Sequence, residues 1–260
     1  MALPPEGAWK HLLSVGLQSL TKYPAAWPPI MVLLLADVGL SLFGGRLIQP
    51  HVSEDYYPLV VGVISVPISF LLCGYWLYGL LFGFVQIRWP HFLLCLWRYF
   101  LSSLLMMICL IGVIIPVGGI GLIIFFSGIP NDNPISVLHN ILFMLTPVFG
   151  FILMLYVMVR LSFMTVIALA EGRVSVPYAW HLSKGWTATM FVTFLVIWGV
   201  SALVPLALQL GGQGVVRGAF SGVTTIVYAI TTLIYYAVIV TAYKKAAQDQ
   251  PPVSLAVESF

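Results

Sequence analysis

The chain has 260 residues, 61% of them hydrophobic and only 7% charged, with a mean hydropathy of +1.05. Soluble domains carry about 25% charged residues, so this composition excludes a soluble domain and describes a polytopic helical membrane protein. A net charge of only +3 does not point to nucleic acid as a partner.

No cleavable leader is expected, because the first apolar run starts late and leads into no small-residue cleavage site followed by a soluble chain. Residues 6–23 place Trp9, Leu12, Leu13, Leu17 and Leu20 at helical spacing, with Lys10, His11, Ser14, Gln18, Ser19 and Lys22 opposite. This predicts an amphipathic helix that either packs on the cytoplasmic end of a bundle or binds lipid in the interface plane. Pro24 to Pro29 make a corner. A first span follows over about 27–47, with Asp37 near its middle. After a polar loop with Glu54 and Asp55, a second span covers about 59–86 and is kinked at Pro67. It carries Gly79 and Gly83, a GxxxG pair that lets another backbone approach.

His91 to Arg98 reads as a short amphipathic turn, and the third span as about 99–126, interrupted at Pro116-Val117-Gly118-Gly119. The loop holding Asn131-Asp132-Asn133 ends at Pro134 and reads as a turn rather than a calcium loop. The fourth span, about 145–169, contains Arg160 and admits two registers. A span over 141–160 leaves Arg160 at the interface but exposes apolar Leu161 to Ala170 to water. A span over 147–169 buries those side chains and places Arg160 near mid-depth. A central arginine costs about 2.5–3.5 kcal/mol, and each central Leu, Ile, Phe or Val returns about 0.3–0.6 kcal/mol. The two nearly cancel, so a partner for the guanidinium decides; the deeper register is expected, with Pro147 starting or kinking the span. An interfacial helix over 175–184 is closed by Gly185. Spans over about 187–209 and 220–243 follow, the last preceded by Gly214, Gly218 and Gly222 at four-residue spacing and stopped by Lys244 and Lys245. Residues 1–245 thus form one membrane domain, with 246–260 a flexible tail.

Six spans put both termini on one side, with Lys10, Lys22, Arg88, Arg98, Arg173, Lys184, Lys244 and Lys245. Only Arg46 and Arg217 fall on the other, so both termini are expected to be cytoplasmic.

Asp37 is the only acid deep in a span, and an intramembrane charge faces the bundle and seeks a partner. Asp37 and Arg160 are therefore expected to meet in the bundle interior, directly or through water, either as a clamp setting helix register or as a proton- or headgroup-binding site. Cys73, Cys95 and Cys109 lack CxxC spacing and read as small core residues. His11, His51, His91, His139 and His181 lack metal-ligand spacing, and no nucleophile-elbow, zinc-protease, phosphate-loop or dinucleotide motif occurs. No metal or cofactor is expected. Pro67, Pro116, Pro147 and Pro205 admit broken helices around a transport site or plain kinks, but two matched inverted halves are not visible.

Arg160-Leu161-Ser162-Phe163, then Ala170-Glu171-Gly172, then Ala179-Trp180-His181-Leu182-Ser183-Lys184-Gly185 form a pattern. An arginine in an apolar helix is followed by Glu-Gly, a short tryptophan-bearing helix, and Ser-Lys-Gly before another span. Over about 145–245 this resembles the membrane domain attached to some bacterial glycerophosphoryl diester phosphodiesterases, and that domain's stand-alone six-helix inner-membrane relatives. The resemblance implies a fold and a bacterial inner-membrane address but no reaction, because the soluble phosphodiesterase domain has no counterpart here. Trp180, Ser183, Lys184 and Gly185 are its interfacial motif.

These readings converge on an all-α bundle of six membrane spans with flanking amphipathic helices. The expected role is a non-enzymatic scaffold, assembly or envelope-associated subunit contacting lipid, another membrane protein or a second copy. The glycines at 79 and 83 and at 214, 218 and 222 are candidate contact faces, unless they close the protein's own bundle. The alternative is a small-molecule or lipid transporter with a polar site around Asp37 and Arg160. An intramembrane enzyme is disfavoured because no second carboxylate or histidine pair lies at depth.

Overall fold

A computed structural model describes residues 7–48, 56–84, 87–127, 134–211 and 217–248. Among them every regular element is helical: α1 (Ala8–Lys22), a 3-10 turn (Pro24–Ala26), α2 (Trp27–Ile48), α3 (Tyr57–Phe82), α4 (Trp89–Ser127), α5 (Pro134–Ala170), α6 (Val176–Leu182), α7 (Thr187–Gly211) and α8 (Arg217–Gln248). Five stretches are long and apolar enough to cross a membrane: Val63–Phe82, Trp89–Gly121, Met144–Ala170, Thr187–Val204 and Gly222–Gln248. A sixth candidate is the pair Ala8–Lys22 and Pro24–Leu40, bent by 68°. The chain is an all-α membrane bundle. The expected acidic loop at Glu54 and Asp55, the turn at 131–133, Gly214 and the tail beyond Gln248 lie outside the described residues.

Several expected boundaries move, each for a local reason. The second span stops at Phe82 rather than 86, because Gly83 adopts φ +94° and its N–H donates to the Gly79 carbonyl at 2.8 Å. The amphipathic stretch from His91 to Arg98 is not a separate turn. It is the first part of α4, which runs unbroken through Pro116 to Ser127. α5 likewise begins at Pro134 and continues through Pro147. At 39 and 37 residues these helices are about 58 and 55 Å long, well beyond a 30 Å hydrocarbon core. Lys244 and Lys245 do not stop α8, which continues to Gln248.

The core sits toward one end of the bundle. It gathers the second half of α3, the start of α4, residues 155–169 of α5, the start of α7 and the second half of α8. Trp76 is fully buried there, and its indole N–H donates to the Leu233 carbonyl at 2.8 Å, tying α3 to α8. α1 lays Leu12 and Gly16 inward and keeps Lys10, His11, Ser14, Gln18 and Lys22 exposed. Ser19, expected on the polar face, is instead buried, because its hydroxyl is satisfied within the helix by the Gly16 carbonyl at 2.6 Å. The Trp27 indole donates to the Leu20 carbonyl at 2.7 Å across the corner.

The opposite end is open. From 103 to 121 and from 141 to 154 no described residue is buried. There α4 and α5 pack on each other, with Gly150 against Val117 and Gly121 against Thr146. Their outward side chains, among them Ile115 and Met144, are exposed and apolar.

α1 reaches α8 closely because Gly16 has no side chain: a β-carbon there would lie 3.0 Å from Val238 Cγ2 and 3.3 Å from the Ile234 carbonyl oxygen. Gly16→Leu is expected to lower stability by about 1–3 kcal/mol, the range for an overfilled contact. Thermal unfolding in detergent checks this, with Gly39→Ala, whose surroundings are open, as the nearly silent control.

Candidate functional site

Arg160 sits on the buried stretch of α5 and is only 6% exposed. α6 and α7 close over it. Its Nη1 donates to Ser183 Oγ at 3.4 Å and to Thr187 Oγ1 at 3.2 Å. The guanidinium carbon lies 4.6 Å from the Trp180 ring centroid and 5.8 Å from that of Tyr156, and the two rings meet edge to face. The hydroxyl hydrogens point elsewhere: Ser183 donates to the Trp180 carbonyl at 3.2 Å and Thr187 to the Ser183 carbonyl at 2.9 Å. Their oxygen lone pairs are thus available to the cation. Nε is sealed from solvent without a partner. Whatever its depth, Arg160 is enclosed by protein rather than lipid.

Locally, α6 forms because Ser175 caps it, accepting from the Tyr178 N–H at 3.4 Å, and Pro177 falls in its first turn. The helix closes before Gly185, at Leu182, where the Ser183 N–H donates to the Ala179 carbonyl. Trp180 and Ser183 of the interfacial motif therefore converge on Arg160. Lys184 is exposed, and Gly185 lies in the turn to α7. The turn from α5 to α6 needs Gly172, at φ +71° with the Arg98 guanidinium against it. Beside it, the Tyr243 hydroxyl donates to Glu171 Oε1 at 2.6 Å. Burial pushes the Tyr178 phenol up; the Glu171 carboxylate adds to the rise and Arg173 opposes it.

The expected meeting of Asp37 and Arg160 does not occur. Asp37 is half-buried on α2 and accepts a hydrogen bond from Ser65 of α3 at 2.6 Å. It faces a different space, a cleft of about 260 Å³ between α2, α3 and α8, whose wall includes Ser69, Cys73, Tyr228 and Thr232. A smaller cleft of about 150 Å³ shares Tyr228 and Thr232 and adds Ser201 of α7. Arg160 lines neither. The physical reason is that each charge is met by nearer polar groups, so neither needs the other. The pair as one site is corrected to two separate sites.

The glycine faces also divide. Gly79 and Gly83 are not a seam for another helix. Gly79 makes room for the Phe84 ring folding back over the end of α3, and Gly83 supplies the positive φ that ends it. Gly222 is buried against Leu42 and Val38 of α2, inside the protein's own bundle. Gly218 lies within α8, and Gly214 is outside the described residues. Among the described residues no three His, Cys, Asp or Glu side chains group as metal ligands.

Sequence reasoning did not single out Ser65, or the bond between the Tyr99 and Tyr236 hydroxyls at 2.8 Å. These partners lie 28 and 137 positions apart and carry no shared motif. Compared with protein-family models, curated proteins and solved structures, the chain finds no match.

Two outcomes follow from the separated charges. Asp37→Asn and Arg160→Gln should have additive effects on stability, within about 0.5 kcal/mol, because non-contacting sites do not couple; a double-mutant cycle by thermal unfolding measures this. Trp180→Ala should cost about 0.5–2 kcal/mol through loss of the ring face, and Arg160→Lys should not restore the planar contact. Unfolding of the two single variants beside the wild type reads both.

Proposed function

We propose that this integral membrane protein is a non-enzymatic subunit of the bacterial inner membrane, with both termini cytoplasmic. Its work is contact with lipid or with another membrane protein, as a scaffold, assembly or envelope-associated component. One observation carries the reading. Packing is concentrated at one end, while α4 and α5 extend as a hairpin in which no described residue from 103 to 121 or from 141 to 154 is buried. Apolar surface of that extent is completed by acyl chains or by a partner's helices. The basic residues Lys10, Lys22, Arg98, Arg173, Lys184 and Lys244 belong to the well-packed end, which fits a cytoplasmic placement of that end. The resemblance of about 145–245 to the membrane domain associated with glycerophosphoryl diester phosphodiesterases supports the address and leaves the phosphodiesterase reaction aside.

The Asp37 cleft favours a second reading, transport of a small molecule or lipid. A carboxylate on the wall of a hydroxyl-lined cleft within the spans suits a transport site. The enclosed Arg160 argues against a single polar pathway joining both charges.

Native mass spectrometry of the chain released from nanodiscs separates the two. The scaffold reading expects retained lipid or a protein subunit, with photo-crosslinks from a reactive amino acid placed at Ile115 or Met144. A chain that is always bare, with solute uptake into proteoliposomes abolished by Asp37→Asn, would replace that reading with transport.

A further inference from the structure

Where α1 crosses α8 beside the end of α3, the three helices enclose a cleft of about 210 Å³. Two ammonium groups border it, Lys22 from the last turn of α1 and Lys244 from α8. Lys244 Nζ donates to the Leu80 carbonyl at 3.1 Å, which uses one of its three hydrogens. Lys22 lies 5.7 Å from the Tyr23 ring centroid. No Asp or Glu lines the cleft. Glu171, near the same end of the bundle, is engaged by the Tyr243 hydroxyl. Two lysines lining one cleft without an acid favour an anion there.

The remaining lining has two characters. Gln18 and Thr241 are polar, whereas Leu80 and Val240 are apolar. Leu80 lies near the end of the apolar stretch Val63–Phe82, so the cleft opens where a bilayer passes from acyl chains to headgroups. Lysines and apolar side chains lining one cleft at that level match the two ends of a phospholipid.

We propose that this cleft binds the phosphate of a phospholipid, with preference for an anionic headgroup. The phosphodiester oxygens accept hydrogen bonds from Lys22 and Lys244, and the upper acyl carbons lie along Leu80 and Val240. The inference rests on the lipid-contact reading above and narrows it to a lipid class and a place.

The test uses the full chain in nanodiscs of phosphatidylcholine with graded phosphatidylglycerol, and native mass spectrometry of the lipid it retains. The wild type should retain phosphatidylglycerol in preference to phosphatidylcholine. In Lys22→Gln/Lys244→Gln that preference should fall by about thirtyfold, the scale of removing two ammonium groups near the membrane surface. Lys10→Gln, an exposed lysine of α1 that does not line the cleft, should keep it. Lys22→Gln alone spares the Lys244 bond to α3 and should show part of the loss even if the double variant fails to fold. Equal retention of the two lipids by the wild type, or an unchanged preference in a folded double variant, overturns the proposal while leaving lipid contact standing. A wild type that retains neither lipid nor protein overturns the broader reading as well. A thermal shift of the wild type in neutral detergent with inorganic phosphate, without lipid preference in nanodiscs, would assign the cleft to soluble phosphate and overturn the lipid assignment.

Discussion

A guanidinium inside an apolar bundle has to be matched from within, and the arrangement around Arg160 follows from that constraint. The face of Trp180 and the oxygens of Ser183 and Thr187 take up the charge without an acid. All three partners come from α6, the turn that follows it and the start of α7. The cation on α5 therefore fixes how the short helix lies against its neighbours and where the following span begins. Leu161, Phe163, Met164, Val166, Ile167, Ala168 and Leu169, the residues that follow it on α5, are buried to near completeness. The arginine thus stands at the head of the most enclosed helical segment among the described residues.

From that segment outward the bundle is asymmetric. Aromatic contacts among Tyr23, Trp76 and Phe84, and the Trp76 bond to α8, knit α1, α3 and α8 at the core end. The far part of the α4–α5 hairpin packs its two helices on each other and, among the described residues, leaves apolar side chains outward. In water such a hairpin would collapse onto the core. In lipid it gains nothing by doing so, because acyl chains solvate leucine and isoleucine as well as protein does. The polar clefts mark the complementary pattern: one lies among α2, α3 and α8 around Asp37, the other among α1, α3 and α8 around the two lysines.

Much of the candidate site was legible as a set of residues but not as a set of contacts. Trp180 and Ser183 stand out beside Arg160 in the sequence, and they are its partners in space. Asp37 stands out equally, yet its partner is Ser65, a residue without distinguishing context. The rule that buried charges find partners does not say that the partner is charged. A hydroxyl one helix away competes with a cation that the fold places elsewhere. The Gly79 and Gly83 spacing fits a helix seam and a helix stop equally well, and the positive φ of Gly83 makes it a stop.

The sequence by itself determined the solvent and the fold class. So few charges over so many apolar residues leave only a helical bundle in lipid, since isolated backbone groups there must bond within their own helix. It also determined most of the helices, because apolar runs of bilayer length are recorded in local composition. Only the tertiary structure decided the uninterrupted lengths of α4 and α5, the separation of Asp37 from Arg160, and the pairing of Lys22 with Lys244 on one cleft. Those depend on which faces of distant helices meet. In a chain apolar nearly all round, the periodicity that would announce a face is almost absent.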